Sequence, residues 1–331
     1  MATSDKIRVG VIRGGIGPEY NISLETGSYV LSHIPRDKYR PIDILIDRDG
    51  CWHQNGIPFS PDALRDYVDV VFNSLHGSDG EDGRIQKFLE KLAIPFIGSD
   101  SLSSAMTGNK RSAKERLSAI GYKTPKYTVL QNLGTHLEGK DRLDHIRRKA
   151  MEVFKKMNGP WIVKPILGSA TTHTYLVTTF AELISILDHV SEMFTEILVE
   201  EYIEGREVAA ALLEGYRNES HYVMPPHEVV RGDKDNTPGP KPLSLHRVYV
   251  IGKNREQKDK IEEMTRHIHR EFGLTDFSLV EYIITPREEI YVLEVDSVPV
   301  MGKGAAMHTL LESIGLGEAE FIDHLISRNL S

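Results

Sequence analysis

Three carboxylates near the end of the chain sit where only a cation would neutralise them. Glu281 lies in the run FSLVEYII (277–284), and Glu294 and Asp296 lie in EIYVLEVD (289–296). Both runs read as strands, and the turn TPRE between them makes a hairpin. Period-two alternation puts Glu294 and Asp296 on one face, otherwise flanked by apolar residues. Converging carboxylates repel one another and are costly to desolvate without cations. Hard oxygen donors in this pattern suit Mg²⁺ shared with phosphate oxygens.

Two lysines could meet the phosphates. Lys164 closes the apolar run WIVK, and an ammonium in such a setting requires an anion. The plainer alternative has it emerging at a sheet rim. Lys110 stands near another predicted element end, and GSATT (168–172) offers small residues and hydroxyls for a phosphate lid. In VEEYIEGRE (199–207), a strand end beside an apolar wall could receive adenine. Glu200, Glu201 and Glu207 lie there, and a carboxylate a few residues on could take ribose hydroxyls; a charged hairpin rim would look the same.

Two loops complete the set. Gly14-Gly15, with Glu19 and Ser23, opens into a helix start that favours anions, while Glu19 could hold an ammonium. An ordinary helix start fits these residues too. HGSDGEDG (76–83) follows an apolar strand, where active-site loops of α/β sheets belong. A solvated turn is the alternative, and the spacing lacks the alternating ligands of a calcium loop.

The elements that must position these residues follow from periodicity. Strands are expected at 7–12, 42–46, 69–75 and 94–98, with helices near Ser23–Leu31 and Gly83–Leu92 between them. That alternation implies a parallel sheet with ligand-binding loops at its carboxyl ends. Gln131–Asp144 and the Lys/Arg-rich helix after it read as a transition rather than core. Further strands are expected at 161–165, 196–203 and 208–215, with helices near Phe180–Val190 and at 256–272. Residues 224–247 hold five prolines and few apolar residues, so they read as a long loop.

Composition narrows the function. At 331 residues the chain exceeds what one hydrophobic core organises, so two or three packed subdomains are expected. Net charge is −8, from 40 basic and 48 acidic residues without a long run of either sign. This argues against nucleic-acid binding through a broad phosphate-tracking surface. One cysteine, Cys51, excludes an internal disulfide and a Cys-rich zinc site. No apolar stretch reaches the ~20 residues that span a bilayer, and no apolar leader precedes the first strand. A cytoplasmic protein with neither membrane nor nucleic-acid partner is expected.

The order of these motifs resembles the D-alanine–D-alanine ligase branch of the ATP-grasp superfamily over nearly the whole chain. GGIGPEYNISLETG, HGSDGEDGRIQKFLEKLAIPFIGSDSLSSAM, NKRSAKERLSAIGYKTP, VKP, VEEYIEGREV and LEVDSVPVM carry it, in that order. The resemblance implies an α/β chain: an ATP-grasp fold preceded by a parallel-sheet pre-ATP-grasp domain. Residues 1–125 would form that first domain, 126–203 the small ATP-grasp subdomain and 204–331 the large one with the metal hairpin. By the same resemblance Lys110 and Lys164 contact ATP phosphates, Glu200, Glu201, Tyr202 and Ile203 line the adenine pocket, and Glu207 binds ribose. Glu281, Glu294 and Asp296 would bind two Mg²⁺, with Mn²⁺ a possible substitute. Glu19 would hold the ammonium of the first amino acid beside His76, and Ser169 would be the lid serine near Glu19. The implied reaction phosphorylates one carboxylate with ATP and lets a second substrate's amine displace phosphate. A homodimer would suit the family.

The departures cluster at the acceptor end. Where the family carries an arginine for the tetrahedral oxyanion, this chain has Leu279, and Lys303 is a candidate substitute donor. The segment after Pro299 reads VMGKGAA, so Gly302 is kept for substrate and the family's serine hydroxyl is gone. No tyrosine occurs in 224–247. Three readings stay open: a D-alanyl-D-alanine ligase serving peptidoglycan synthesis, a ligase with another second amino acid or hydroxy acid, and a non-catalytic nucleotide-binding homologue.

Overall fold

In the computed structural model, residues 6–133, 137–168, 173–231, 245–250 and 255–330 are described. The first apolar run forms β1 (Ile7–Gly14), at the heart of a sheet with β2 (Tyr39–Ile46), β3 (Trp52–Gln54), β4 (Ile57–Pro58), β5 (Val70–Asn73) and β6 (Phe96–Ile97). Strand order is β4-β3-β2-β1-β5-β6. The pairs β2–β1, β1–β5 and β5–β6 are parallel, as the strand–helix alternation predicts, and β3 and β4 add an antiparallel edge. Val9 and Val11 pack on one face and Ile12 on the other, because a parallel sheet is covered on both sides.

A second sheet, ordered β7-β10-β8-β9, is antiparallel: β7 (Tyr127–Gln131), β8 (Trp161–Pro165), β9 (Tyr175–Val177) and β10 (Glu196–Glu201). Strand β10 stops at Glu201, two residues short of the sequence expectation. The helix Gly139–Lys156 is not a mere transition. Its Ile146, Ala150 and Val153, spaced to share one face, are buried against this sheet. Beside it the helix Phe180–Ser191 begins with a capping box between Thr179 and Glu182, worth about 1 kcal/mol.

The third sheet holds β11 (Arg206–Tyr216), β12 (Glu219–Val223), β13 (His227–Arg231), β14 (Leu245–Val250), β15 (Phe277–Ile284) and β16 (Ile290–Asp296). Its order is β14-β13-β11-β15-β16, with β12 also paired to β11, and every pair is antiparallel. Val208, Ala210, Val280 and Tyr282 pack under the helix Arg255–Glu271. Ala209, Ala211 and Leu279 face the opposite way, into a core shared with Val9 and Val30 of the first sheet region and Phe321 of the last helix. The expected long loop at 224–247 is therefore wrong at both ends, where β13 and β14 lie. Ladder bonds satisfy the backbone there even though apolar residues are few. Residues 232–244 lie outside the described residues, and the question of a lid falls there.

Candidate active site

The last hairpin brings its carboxylates together. Glu281 is directly opposite Glu294, and Leu279 is opposite Asp296. Between Glu281 and Tyr282 the register shifts, leaving Leu293 as the extra residue of a bulge. On β11, Ala209 pairs with Glu281 and Glu207 with Ile283, so Glu207 shares this face. One sheet face thus carries Glu207, Glu281, Glu294 and Asp296. Burial, with Glu81 and Glu294 nearby, pushes the Asp296 carboxyl up to about 7. A carboxylate held that high is short of positive charge, although the Val298 amide donates to Asp296 at 2.9 Å and His76 lies nearby. The donor set fits a hard divalent ion.

The lysines arrive from two other elements. Asn109 caps the helix Lys110–Ala119 by accepting from the Arg111 and Ser112 amides, and the Lys110 amide donates to the Ile166 carbonyl at 3.0 Å. This docks the helix start on the strand end beyond Lys164. Lys110 Nζ lies 3.2 Å from Glu294 Oε1 and also donates to the Gly168 carbonyl. Lys164 is buried rather than at a rim. Its Nζ lies 2.8 Å from Glu200 Oε1, and Lys114 Nζ lies 2.8 Å from Glu200 Oε2. Burial would raise the Glu200 carboxyl, but the two ammoniums hold it well below its usual range. Burial lowers the Lys114 ammonium despite Glu200, because Lys164 repels it. Lys164 stays raised against burial, since it also feels Glu294 and Glu281. Two ammoniums on one carboxylate leave a net positive charge facing the hairpin, which is what a phosphate requires.

Glu19 is the third part. It is 3% exposed, and burial together with Glu81 pushes its carboxyl up to about 7, while Lys110 and His76 pull the other way. An added Cβ at Gly77 would lie 2.4 Å from Glu19 Oε2, and one at Gly168 would lie 2.9 Å from Oε1. Both glycines have positive φ, so backbone closes on the carboxylate from two sides. His76 is buried, with Nε2 2.9 Å from Thr26 Oγ1, and burial lowers it to about 4, so it is neutral. Its Nδ1 faces Glu81 Oε1 at 3.4 Å, and that oxygen accepts from the Gly77 amide at 2.9 Å. The expected anion seat at Gly15 is filled from within: Ile16 and Gly17 amides donate to Asp79 at 2.8 and 2.7 Å. Ser23 is buried, accepting from the Gly14 amide and donating to the Ser74 carbonyl.

A cavity of about 810 Å³ opens from the hairpin face. Leu24, Tyr29, Leu279, Val300, Met301 and Ala305 give it apolar walls, and Gly302 and Lys303 border it with Glu281, Glu294 and Asp296. Lys303 is exposed at this border. Across the cavity Arg13 is held by Asp43 through two 2.7 Å contacts and donates to Ser28 Oγ at 3.1 Å. Glu201 accepts from the Lys126 amide at 2.9 Å, and Tyr202 and Ile203 follow it in the turn toward β11. Ser169 lies outside the described residues.

Sequence reasoning missed Lys114, Glu81 as an individual residue, and Arg13. Lys114 stands four residues after Lys110 on one helix, a spacing that shares a face and was there to read. Arg13 ends an apolar parallel strand, a position as unusual for a cation as that of Lys164.

Comparison with known proteins shows the family and the fold. Residues 117–327 match the family described as D-ala D-ala ligase C-terminus, and 53–99 match D-ala D-ala ligase N-terminus. The D-alanine–D-alanine ligase of Geotalea uraniireducens is 27% identical over 97% of this chain and 94% of its own. That of Carboxydothermus hydrogenoformans is 28% identical, covering 98% of each. Among solved structures, the VanG D-Ala:D-Ser ligase of Enterococcus faecalis superposes with a TM-score of 0.78 at 27% identity, covering 97% of this chain and 99% of that one. The ATP-complexed D-alanine–D-alanine ligase of Bacillus anthracis shares the fold, with a TM-score of 0.73 at 24% identity over 98% of this chain and 97% of its own.

Proposed function

The chain belongs to the D-alanine–D-alanine ligase family of the ATP-grasp fold, and from that premise we propose that it is an ADP-forming ligase that makes a dipeptide starting from D-alanine. The observation that carries this reading is the meeting of Lys110 and Glu294 at 3.2 Å, on the face that also holds Glu281 and Asp296. In this reading Lys110 and Lys164 bind the ATP phosphates, with Lys114 sharing their counter-charge. Glu200 to Ile203 border adenine through their backbone, and Glu207 takes the ribose. Glu281, Glu294 and Asp296 would hold Mg²⁺, one ion or two, which supplies charge neutralisation of the triphosphate.

Glu19 positions the ammonium of the first amino acid, with neutral His76 beside it. The first amino acid's carboxylate then takes the γ-phosphoryl group of ATP with ADP leaving, and the amine of the second amino acid attacks the acyl phosphate, loses a proton and expels inorganic phosphate. Binding two substrates and ATP in fixed geometry supplies most of the acceleration. Lys303 is the proposed donor to the tetrahedral oxyanion, and Ser169 the lid serine near Glu19. A cytoplasmic homodimer that feeds peptidoglycan synthesis completes the reading.

The wall of the cavity favours a second reading for the acceptor. Leu279, Val300, Met301 and Ala305 offer no side-chain donor, so the second amino acid need not be D-alanine. ADP release with Mg-ATP over a panel of D- and L-amino acids and hydroxy acids tests both. Release with D-alanine alone supports the first reading, and release only when D-alanine is paired with another acceptor supports the second. No release with any pair, despite nucleotide-induced thermal stabilisation, would leave a nucleotide-binding protein without turnover.

A further inference from the structure

A second cluster of metal-ligating side chains lies on the opposite face of the third sheet from the hairpin carboxylates. Glu214 of β11, His221 of β12 and His269 of the helix Arg255–Glu271 place one ligand atom each within 4.8 Å of one another. Glu214 and His221 are direct cross-strand partners, so the pairing is set by the β11–β12 register. Both imidazoles aim Nε2 at the same oxygen, Glu214 Oε1, at 3.4 Å from His269 and 3.6 Å from His221. These separations exceed the roughly 2.7–3.2 Å of a good N–H···O bond. They approach the edge, about 3.3–3.4 Å, of a tetrahedron with ~2.0–2.1 Å zinc bonds.

Every other polar atom of the three ligands is already held. His269 Nδ1 lies 2.8 Å from Ser278 Oγ, and His221 Nδ1 lies 3.0 Å from Ser220 Oγ. Glu214 Oε2 accepts from Arg328 at 2.7 Å and from the Asp276 amide at 3.0 Å. Such outer partners fix ring orientation and turn both Nε2 atoms toward Glu214 Oε1, which His269 reaches only through a long 3.4 Å hydrogen bond. Arg266 and Arg270 border the small pocket beside His221, so a cation there must be held by coordinate bonds rather than by a general negative field.

We propose that Glu214, His221 and His269 form a binding site for a borderline divalent ion, zinc foremost, with water as the fourth ligand. Two imidazoles disfavour Mg²⁺, so the site is chemically distinct from the hairpin carboxylates. A bound ion ties β11, β12 and the overlying helix together at one point, and it acts on stability rather than on the ligase reaction.

Four-coordinate Co²⁺, which absorbs in the visible, is the probe, used on chelator-stripped full-length protein carrying Cys51→Ser to remove the one thiol. The expected result is one equivalent of Co²⁺ giving a four-coordinate spectrum that Zn²⁺ abolishes and Mg-ATP does not. His221→Ala should lose that spectrum, and it should keep ADP release and its metal-free melting temperature because His221 is only partly buried. Ser278→Ala should weaken Co²⁺ binding by about 10–100-fold through its hold on His269. Zn²⁺ should raise the melting temperature of the unmodified ligand set and not that of His221→Ala. Absence of a four-coordinate spectrum, its survival in His221→Ala, or its loss in Glu294→Gln would overturn the assignment.

Discussion

Glu281 and Glu294 stand directly across the last hairpin from each other, and Lys110 Nζ lies 3.2 Å from Glu294 Oε1. Glu294→Gln removes a metal oxygen and the Lys110 partner together. Its apparent Mg²⁺ affinity should fall at least ~10–100-fold, read from ADP release against Mg²⁺ concentration. Asp296→Asn makes the same carboxylate-to-amide change without touching the Lys110 pair, so it should cost less. Equal losses in the two variants would contradict the proposed roles.

Glu200→Gln should leave Lys114 and Lys164 buried side by side without the carboxylate that contacts both. Removing one member of such a buried set costs about 3–5 kcal/mol. The denaturant midpoint should drop accordingly, and saturating Mg-ATP should recover part of it. A midpoint within error of the parent would mean the carboxylate is dispensable.

Gly77→Ala should act on the first amino acid. The added Cβ would meet Glu19 Oε2 at 2.4 Å, and Gly77 has φ +68. Backbone strain costs roughly 1–2 kcal/mol, and a displaced carboxylate lowers turnover by on the order of 10²-fold. Steady-state kinetics should place most of the loss on the first amino acid and little on the KM for ATP.

Leu279→Arg restores a donor opposite Asp296. If acyl transfer limits turnover with D-alanine as acceptor, the rate should rise, by as much as ~10²–10³-fold. Lys303→Met should do the reverse, losing turnover while nucleotide binding by calorimetry is preserved. Unchanged turnover in Lys303→Met would remove Lys303 from the mechanism.

The buried acids and His76 predict opposite pH trends. Glu19 and Glu81 are pushed up to about 7 from 4.5, so the folded state holds their protons more tightly. Their contribution to stability is complete below about 4.5 and is lost as pH rises through about 7. Against the parent, Glu81→Gln should gain relative stability over that window. His76, lowered to about 4 from 6.5, contributes stability that is present above 6.5 and lost as pH falls toward 4. His76→Gln should therefore compare best at the acid end. Denaturation at several pH values, without nucleotide or Mg²⁺, reads both slopes.

Much of this site was legible because its signals are local. Glu294 and Asp296 share a face by alternation alone, and the apolar run ending in Lys164 announced an anion. The bulge at Leu293 could not be read, since one extra residue on one strand leaves no mark in composition. The Lys114–Glu200 pair joins residues far apart in sequence, and only the docking of a helix start onto a strand end brings them together. In β13, prolines nearby and a shortage of apolar residues hid a strand held by its ladder bonds. The helix Gly139–Lys156 failed for another reason. Its Ile146, Ala150 and Val153 spacing was present, but lysines and arginines on its other faces masked it.

The seating of Glu200 between Lys114 and Lys164 has a consequence for the enzyme between turnovers. A pocket built for a triphosphate would ordinarily be a liability when vacated, as its crowded positive groups push apart. Here Glu200 answers for the missing guest, so in the proposed role the two lysines keep their posture after product leaves. Readiness for the next round is then a standing property of the fold, not something each incoming ATP must create.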